Sequence, residues 1–368
     1  MSLRVARAYN LNSIMGPVAR VKAMKAMKVE KANLEWSELP FGYVKTDYNI
    51  RYYFKDGKWS EAELTADEFL PMHMAAPCLH YGQEAFEGLK IFETVDGRIV
   101  AFRVDENAKR LQRSSERIFT PMVPIEMFRE AVHKVVKANA RFVPPYGTGA
   151  SMYARPLIIG TGARVGLGPA EEYIFLVFVT PVGPYYKGGF TAVKALVVEE
   201  YDRAAPHGVG DCKVGGNYAA GLRGEIYGKK KGYPVVLYLD PKEKRYVDEF
   251  STSNFIAIKG NSYITPDSES ILPSVTNKSL AQIAEDMGMK VERRPVDIAE
   301  IEGFDEVGAV GTAAVITPVN TIHFRGRDYT FGNGDKPGPV LTKLYDRLSK
   351  IRTGEAEDKF GWLDDIAL

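Results

Sequence analysis

The stretch RAAPHGVGDCKVGGNY, residues 203–218, is the most informative part of the chain. It places Lys213 in a glycine-dense loop directly before a segment of helical character. A lysine with this spacing is more often a solvated surface residue than a functional one. A buried lysine has a depressed amine pKa, however, and can attack an aldehyde. The rest of the chain has to decide between these two interpretations.

Strands and helices are predicted on both sides of this loop. Apolar, β-branched and aromatic runs predict strands at 97–104, 151–159, 173–180, 191–199, 235–240, 254–260 and 262–265, the last two as a hairpin. Apolar residues at helical spacing predict helices at 106–119, 124–142, 218–231, 276–289 and 338–352. Because strands and helices do not alternate strictly, the pattern favours a mixed α/β or α+β fold over a doubly wound parallel sheet.

The length of 368 residues predicts two domains. Two prolines and three glycines fall within the nine residues 181–189, which makes this stretch the best candidate for the boundary. We therefore expect an N-terminal extension at 1–32, a small α/β domain at 33–182, a linker at 183–189 and a large domain at 190–368.

Composition narrows the class of protein. The 48 Lys and Arg residues balance 47 Asp and Glu residues, which argues against nucleic acid or a membrane surface as the partner. No apolar run is long enough to cross a membrane. The two cysteines, Cys78 and Cys212, suit a reducing, cytoplasmic setting. The five histidines are scattered, so no metal is expected.

The N-terminus leaves two interpretations open. Residues 1–29 contain six basic and no acidic residues, which is compatible with a targeting segment. Met24 and Met27 could equally be the true start of an over-extended reading frame, and the globular-looking sequence after Met27 slightly favours that second interpretation.

Five further stretches carry polar or aromatic residues that chemistry could use. They are LHYGQEAFEGLK at 79–90, NAKRLQR at 107–113, YVDEFSTSNF at 246–255, ILPSVT at 271–276 and VGTAAVITPV at 310–319. Taken singly, they are an aromatic strand or turn, the solvated face of a helix, an acidic strand, a capped helix start and an apolar strand. The start of the helix near residue 275 would also offer free amides to a phosphate.

Together with residues 203–218, these stretches resemble, in order, the class IV (fold type IV) pyridoxal-phosphate aminotransferases, and specifically the branched-chain family. The resemblance extends from about residue 34 to residue 363, nearly the whole chain. It implies a smaller N-terminal α/β domain, a larger barrel-like C-terminal domain that binds the cofactor, and a homodimer.

The resemblance also assigns roles to individual residues. Lys213 would hold pyridoxal 5'-phosphate as a Schiff base, with Tyr218 at the phenolic oxygen and Glu249, rather than Asp248, at the pyridine nitrogen. Arg110 would bind the phosphate. The complete set expected to bind the cofactor is Arg110, Lys213, Tyr218, Glu249, Thr252, Leu272, Val275, Thr276 and Thr312. A carboxylate that keeps the pyridine nitrogen protonated makes the ring an electron sink.

The same resemblance implies the substrates. It predicts transfer of the amino group between leucine, isoleucine or valine and 2-oxoglutarate, giving branched-chain 2-oxo acids and glutamate. The residues expected to line the substrate pocket are Tyr81, Phe86, Tyr153, Arg155, Val182, Tyr185, Ala313 and Ala314. Arg155 would meet the γ-carboxylate of glutamate, while Tyr81, Phe86 and Val182 would face an aliphatic side chain.

Two rival functions remain. A D-amino-acid aminotransferase or an aminodeoxychorismate lyase would share the fold, but the stretches YARP at 153–156 and RAAP at 203–206 favour the branched-chain group. A binding protein that kept the fold without the cofactor is disfavoured, because the lysine, arginine, tyrosine and glutamate are all present.

Overall fold

The computed structural model describes residues 29–185, 190–332 and 334–368. The basic segment at 1–28, with its two interpretations, lies outside the described residues, as do residues 186–189 of the expected linker. Among the helices of the described part, none is both long and apolar enough to cross a membrane.

The N-terminal part is built on one antiparallel sheet of nine strands. The strands are β1 (Asn49–Lys55), β2 (Lys58–Trp59), β3 (Glu63–Thr65), β4 (Glu84–Phe86), β5 (Leu89–Glu93), β6 (Ile99–Phe102), β7 (Ser151–Gly160), β8 (Tyr173–Val182) and β18 (Leu363–Asp365). Helices α2 (Val104–Arg117) and α3 (Ile125–Ala138) bury their apolar faces against it. The main strand order is β18-β6-β5-β7-β8-β1-β2.

The C-terminal part contains a second nine-stranded sheet that closes into a barrel. Its strands are β9 (Val193–Val198), β10 (Val235–Leu239), β11 (Val247–Phe250), β12 (Ser253–Lys259), β13 (Ser262–Pro266), β14 (Lys290–Arg294), β15 (Glu306–Gly311), β16 (Val315–Phe324) and β17 (Arg327–Thr330). The order β11-β10-β9-β16-β15-β12 returns to β11, because β11 also pairs with β12. The expected mixed fold with a barrel is thus confirmed.

Three helices accompany the barrel: α4 (Gly215–Lys230), α5 (Val275–Asp286) and α6 (Pro339–Arg352). Both α5 and α6 pack on a separate apolar cluster beside the barrel. Short 3-10 helices occupy Trp36–Glu38, Ala140–Phe142 and Ile298–Gly303.

The alternation of side chains along β5 and β7 prepares one face of the first sheet for function. Leu89 and Ile91 of β5 and Met152 and Ala154 of β7 lie in the core beneath α2 and α3. Because successive side chains of a strand point to opposite faces, residues 90, 151, 153 and 155 face the other way. Lys90 in fact contacts Ala313, so this face is turned toward the second sheet.

Two local features differ from the simplest interpretation of the sequence. The stretch from residue 79 begins inside a short helix, α1 (Pro77–Tyr81), rather than a strand. Pro77 suits the first helical turn, and Gly82 ends it in the left-handed conformation. Strand β18 carries the end of the chain back to β6 of the first sheet, so residues 363–365 do not stay with the barrel. The domain limits given above remain a proposal.

Candidate active site

Lys213 lies in the loop between β9 and α4, where the two parts of the molecule meet. Its Nζ donates to the hydroxyl of Tyr218 at 2.6 Å and lies 4.8 Å from the ring centre of Phe86. Its backbone is fixed from both sides: its amide donates to Ser114 Oγ at 3.0 Å, and its carbonyl accepts from Phe86 N at 3.0 Å. Burial, assisted by the charge of Arg110, lowers the pKa of Lys213 to about 7. A neutral, nucleophilic amine is therefore accessible near neutral pH.

Tyr218 stands in the first turn of α4, directly beside this amine. Burial raises the pKa of its hydroxyl, which keeps the proton on the phenol. The start of α4 is held by Glu84, which accepts a hydrogen bond from the amide of Gly215. A Cβ atom at position 215 would lie 2.0 Å from Glu84 Oε1, so this close contact requires glycine.

Glu249 supplies a buried carboxylate on β11 and is only 3% exposed. Oε1 lies 2.8 Å from Arg203 Nη2 and accepts from the Leu272 amide at 2.9 Å, while Oε2 accepts from Asn254 Nδ2 at 2.8 Å. Burial raises the pKa of Glu249, and Arg203 opposes that rise. Since two carboxylate oxygens offer about four acceptor positions, the carboxylate can still accept one more donor.

The neighbouring Asp248 is not equivalent. Adjacent side chains on a strand point to opposite faces, and Asp248 Oδ2 accepts from Ser270 Oγ at 2.6 Å. Of the two acids that the sequence offers, Glu249 shares its surroundings with Lys213 and Tyr218, because its charge influences the pKa of both.

Arg110, on α2, is buried against Glu87 in a bidentate ion pair. Nε and Nη2 lie 2.8 and 2.7 Å from the two carboxylate oxygens, and Nη1 donates to the carbonyl of Pro273 at 3.1 Å. Five N–H groups are available and three are used, so two remain to bind an anion. The contact with Pro273 places these donors beside the start of α5.

The start of α5 adds backbone donors. Ser274 caps the helix by accepting from Asn277 N at 3.2 Å, and Val275 and Thr276 begin it. The first amides of a helix have no carbonyl partner within the helix and favour an anion. Arg110, Val275 and Thr276 thus converge on one place suited to a phosphate.

A second group of side chains surrounds Phe86. The guanidinium of Arg155 lies 4.9 Å from the Phe86 ring centre, and its Nη2 donates to the Tyr153 hydroxyl at 3.2 Å. Arg155 Nε is buried without a hydrogen-bond partner within the described chain. A Cβ at Gly88 would lie 1.9 Å from the Tyr153 hydroxyl, so glycine there makes room for the tyrosine. The arrangement sets a cation at the end of an aromatic wall.

The other residues expected from the sequence fall into two groups. Ala313 and Ala314 form, with Thr312, the turn between β15 and β16, and Ala313 and Ala314 line a cavity together with Tyr185. Val182 is buried at the end of β8, opposite Ser151, and Thr252 is exposed in the turn between β11 and β12. Tyr81 lies apart, since it is on the surface and donates to the carbonyl of Val165.

Two buried residues of the site escaped the sequence analysis. Glu87 was quoted only as part of its stretch and Arg203 only as the start of another, yet they hold Arg110 and Glu249 in place. Each pairs with a residue 23 or more positions away. The acid and the base are visible in the sequence, but their pairing depends on the fold.

The fold and this site define a class of enzyme, and comparison with known proteins agrees. Residues 84–322 match the family of class IV amino-transferases, which covers both halves of the site. The chain belongs to this family and is a transaminase. Class IV aminotransferases use pyridoxal 5'-phosphate.

Individual relatives narrow the class further. The chain is 46% identical to the branched-chain-amino-acid aminotransferase of Haemophilus influenzae and 44% identical to that of Helicobacter pylori, over 90% and 91% of this chain and 98% of each relative. The solved branched-chain aminotransferase of Escherichia coli superposes with a TM-score of 0.74 at 28% identity, over 88% of this chain and all of that one. A second solved branched-chain aminotransferase, from T.th. and in complex with pyridoxamine 5'-phosphate, gives 0.74 at 25% identity, with the same coverage. The expected placement with the branched-chain aminotransferases is confirmed.

Proposed function

We propose that this enzyme binds pyridoxal 5'-phosphate at Lys213 and exchanges the amino group between L-leucine, L-isoleucine or L-valine and 2-oxoglutarate. The observation that carries the proposal is the pairing of Lys213 with Tyr218 beside Phe86, with the Arg155 guanidinium over the same ring. The site therefore offers a reactive amine, an apolar wall and a cation to one substrate.

The donors present fit the proposed cofactor at each of its functional groups. Lys213 suits the aldehyde, Tyr218 the phenolic oxygen and Glu249 the pyridine nitrogen. The spare N–H groups of Arg110 and the first amides of α5 suit the phosphate. When bound, the cofactor supplies an electron sink for the bond that breaks at the substrate α-carbon.

The side chains divide the work around it. Lys213 Nζ, neutral near pH 7, takes the proton from the α-carbon and returns it to the product. Tyr218 keeps this amine in place through the 2.6 Å hydrogen bond. Glu249, fixed by Arg203 and by Asn254, holds a proton on the ring nitrogen. The turn at 312–314 would hold the α-carboxylate of the substrate through its backbone.

Two kinds of side chain have to fit the same pocket. Phe86 favours an aliphatic side chain, whereas a buried γ-carboxylate without a partner would cost several kcal/mol (about 2–7 kcal/mol even for a neutral polar group). Arg155 and the Tyr153 hydroxyl offer that carboxylate a cation and a donor. Glutamate and leucine can therefore alternate at one site.

The test is a comparison of amino donors with the purified, cofactor-loaded protein. We expect L-leucine, L-isoleucine and L-valine to form glutamate from 2-oxoglutarate, and D-alanine to be inert. Activity with D-alanine and none with L-leucine would show the related D-amino-acid enzyme instead. A protein that stays colourless after incubation with pyridoxal 5'-phosphate would contradict the whole proposal.

We further propose a homodimer. An apolar surface that includes Met74, Tyr81, Val165 and Leu167 supports it, because Val165 and Leu167 are 83% and 82% exposed. Continuous exposed apolar area marks interaction sites. We expect light scattering to give twice the chain mass, and the double variant Val165→Glu, Leu167→Glu to give a monomer. Val95→Glu, on a separate exposed apolar residue, is the control. A monomeric wild type would refute the dimer.

A cytoplasmic location remains a prediction, supported by the two free thiols of Cys78 and Cys212. Fractionation of the producing cells, with the thiols titrated in the fraction that contains the enzyme, would test it.

A further inference from the structure

A cavity of about 220 Å³ lies between β5, the loop before β7, α6 and the turn at 313–315. It differs from the Lys213 site: Lys90, which lines it, is four residues beyond Phe86, on the order of 13 Å along an extended chain. Three buried or half-buried donors line this cavity: Lys90, Ser151 and Arg352.

Arg352, at the end of α6, is the most unusual of the three. It is 3% exposed, and its Nε has no hydrogen-bond partner in the described chain. Its guanidinium lies 4.4 Å from the ring centre of Phe102, and no described carboxylate forms an ion pair with it. Burial lowers the pKa of Arg352 to about 10. A buried cation without an anion is a costly arrangement.

Lys90 brings a second cation to the same cavity. Its Nζ donates to the carbonyl of Ala313 at 2.9 Å, which leaves two of its three protons available. Burial and the nearby charge of Arg352 lower the pKa of Lys90 to about 7. The two cations therefore oppose each other within one low-dielectric space.

The cavity provides no counter-charge of its own. Glu93 is the one carboxylate among its lining residues within the described chain. It lies on the face of β5 opposite Lys90 and is paired with Lys31 at 2.5 Å. Ser151 adds a buried hydroxyl whose Oγ has no partner among the described residues. Two cations and one hydroxyl thus face the same space.

We propose that Lys90, Ser151 and Arg352 form a binding site for a small oxyanion with two negative charges, such as a dicarboxylate or sulfate. A guanidinium matches two oxygens of such an anion at once, and an ammonium supplies a point charge beside it. The anion would compensate both buried cations and satisfy the Ser151 hydroxyl. Nothing in the proposed transamination uses this site.

The experiment is thermal unfolding of the cofactor-loaded protein in succinate, sulfate, acetate or chloride at equal ionic strength. To exclude carboxylate binding beside Lys213, the series is repeated with the Arg155→Gln variant. We expect succinate and sulfate to raise the Tm by at least about 2 °C relative to chloride in both proteins. Acetate, with one charge, should raise it less. A rise with succinate alone would indicate a dicarboxylate site, and an equal rise with sulfate a general dianion site.

Variants of the cavity decide the assignment. Arg352→Met and Lys90→Met should lose the rise caused by succinate and sulfate, and neither should lower the Tm in chloride, because each removes an uncompensated charge. Lys350→Gln, an exposed charge two residues before Arg352, is the matched control and should keep the full rise. If Arg352→Met does not fold, Lys90→Met and Ser151→Ala carry the test.

The proposal is overturned if the rise persists in the Met variants, or if acetate and chloride act as strongly as succinate. No amino acid substrate is involved, so a failed leucine assay would leave this result unaffected.

Discussion

Lys213 and Lys90 are two lysines whose pKa is lowered to about 7, and only one of them lies beside Tyr218 and Phe86. A depressed pKa therefore does not identify the residue that binds the cofactor; its neighbours do. Reduction with borohydride in the presence of pyridoxal 5'-phosphate should attach the cofactor to Lys213. Peptide mapping locates the adduct.

The variant Lys213→Ala should lose this adduct but still bind the cofactor reversibly, because Arg110 and the amides of α5 remain. Lys90→Ala is the control and should keep the adduct at full yield. An adduct on Lys90, or on any lysine other than Lys213, would refute the assignment.

Glu249 is expected to act through its charge rather than its shape. Glu249→Gln keeps the size of the side chain but no longer favours a proton on the ring nitrogen. We expect proton transfer at the α-carbon to slow by at least about tenfold, which corresponds to about 1.4 kcal/mol, while cofactor affinity changes little. Single-turnover absorbance with leucine measures it. Asp248→Asn, on the opposite face, is the control, and near-normal turnover of Glu249→Gln would contradict the role.

Arg155 should discriminate between the two halves of the reaction. Removing one partner of a desolvated charge pair costs roughly 2–5 kcal/mol, which is tens to thousands fold in affinity. Arg155→Gln should therefore impair glutamate and 2-oxoglutarate, while leucine keeps most of its reactivity. Single-turnover rates for the two amino acids provide the comparison, and an equal loss for both would place Arg155 in the fold or at the shared α-carboxylate.

At this scale the sequence identified the reactive groups better than their supports. Lys213, Tyr218 and Glu249 stood in stretches whose residue types could be recognised one by one. Glu87 and Arg203 could not be found in this way, because an internal ion pair requires knowledge of which distant segments meet. Tyr81 has a clear place in its stretch, yet its contacts in the folded chain are with Val165 at the surface.

At the scale of elements, periodicity predicted most helices and strands within a few residues. The helix expected at 338–352 is Pro339–Arg352, and the strand expected at 151–159 is Ser151–Gly160. Lys290–Arg294 was not predicted, because most of its residues are charged and it pairs at the edge of the sheet with β13. Strand β18 was missed because three residues carry no periodic signal.

The start of α4 offers a test with two adjacent glycines. A Cβ at Gly215 would collide with Glu84, which accepts from the Gly215 amide, whereas one at Gly216 meets nothing within 4 Å. Gly215→Ala should therefore displace Glu84 and destabilise the protein by about 1–3 kcal/mol. Gly216→Ala should be neutral or slightly stabilising, since alanine is the better helix former. Urea unfolding measures both, and equal effects would argue against this contact.

On the scale of the whole molecule, the site exists only because two sheets meet. The first sheet contributes Phe86, Arg155 and, through α2, Arg110; the barrel contributes Glu249, and Lys213 stands in the loop after β9. Composition and length could predict two domains, but not which faces meet. That follows from the side-chain alternation of β5 and β7, which turns residues 90, 153 and 155 toward the second sheet.

Two buried lysines, one at each end of this junction, should give the cofactor-free protein an unusual dependence of stability on pH. The pKa of both Lys90 and Lys213 is lowered from 10.5 to about 7 in the folded state. Between pH 7 and about 10, the unfolded chain binds protons on these lysines that the folded chain does not. The free energy of unfolding should therefore rise with pH across this window, by on the order of 1 kcal/mol per pH unit.

Above about pH 10 the trend should reverse, because burial raises the pKa of Tyr52 and Tyr238 to about 12 and the folded state then keeps protons that the unfolded chain loses. Urea unfolding in chloride buffers from pH 7 to 11 would trace both limbs. The double variant Lys90→Met, Lys213→Met removes the two amines that cause the rise but leaves the tyrosines. Its stability should stay flat up to about pH 10 and then fall like that of the wild type. If the wild type already loses stability between pH 7 and 9, these lysines keep their protons in the folded chain, and the neutral amine assumed for Lys213 would have to be provided by the bound cofactor instead of by burial.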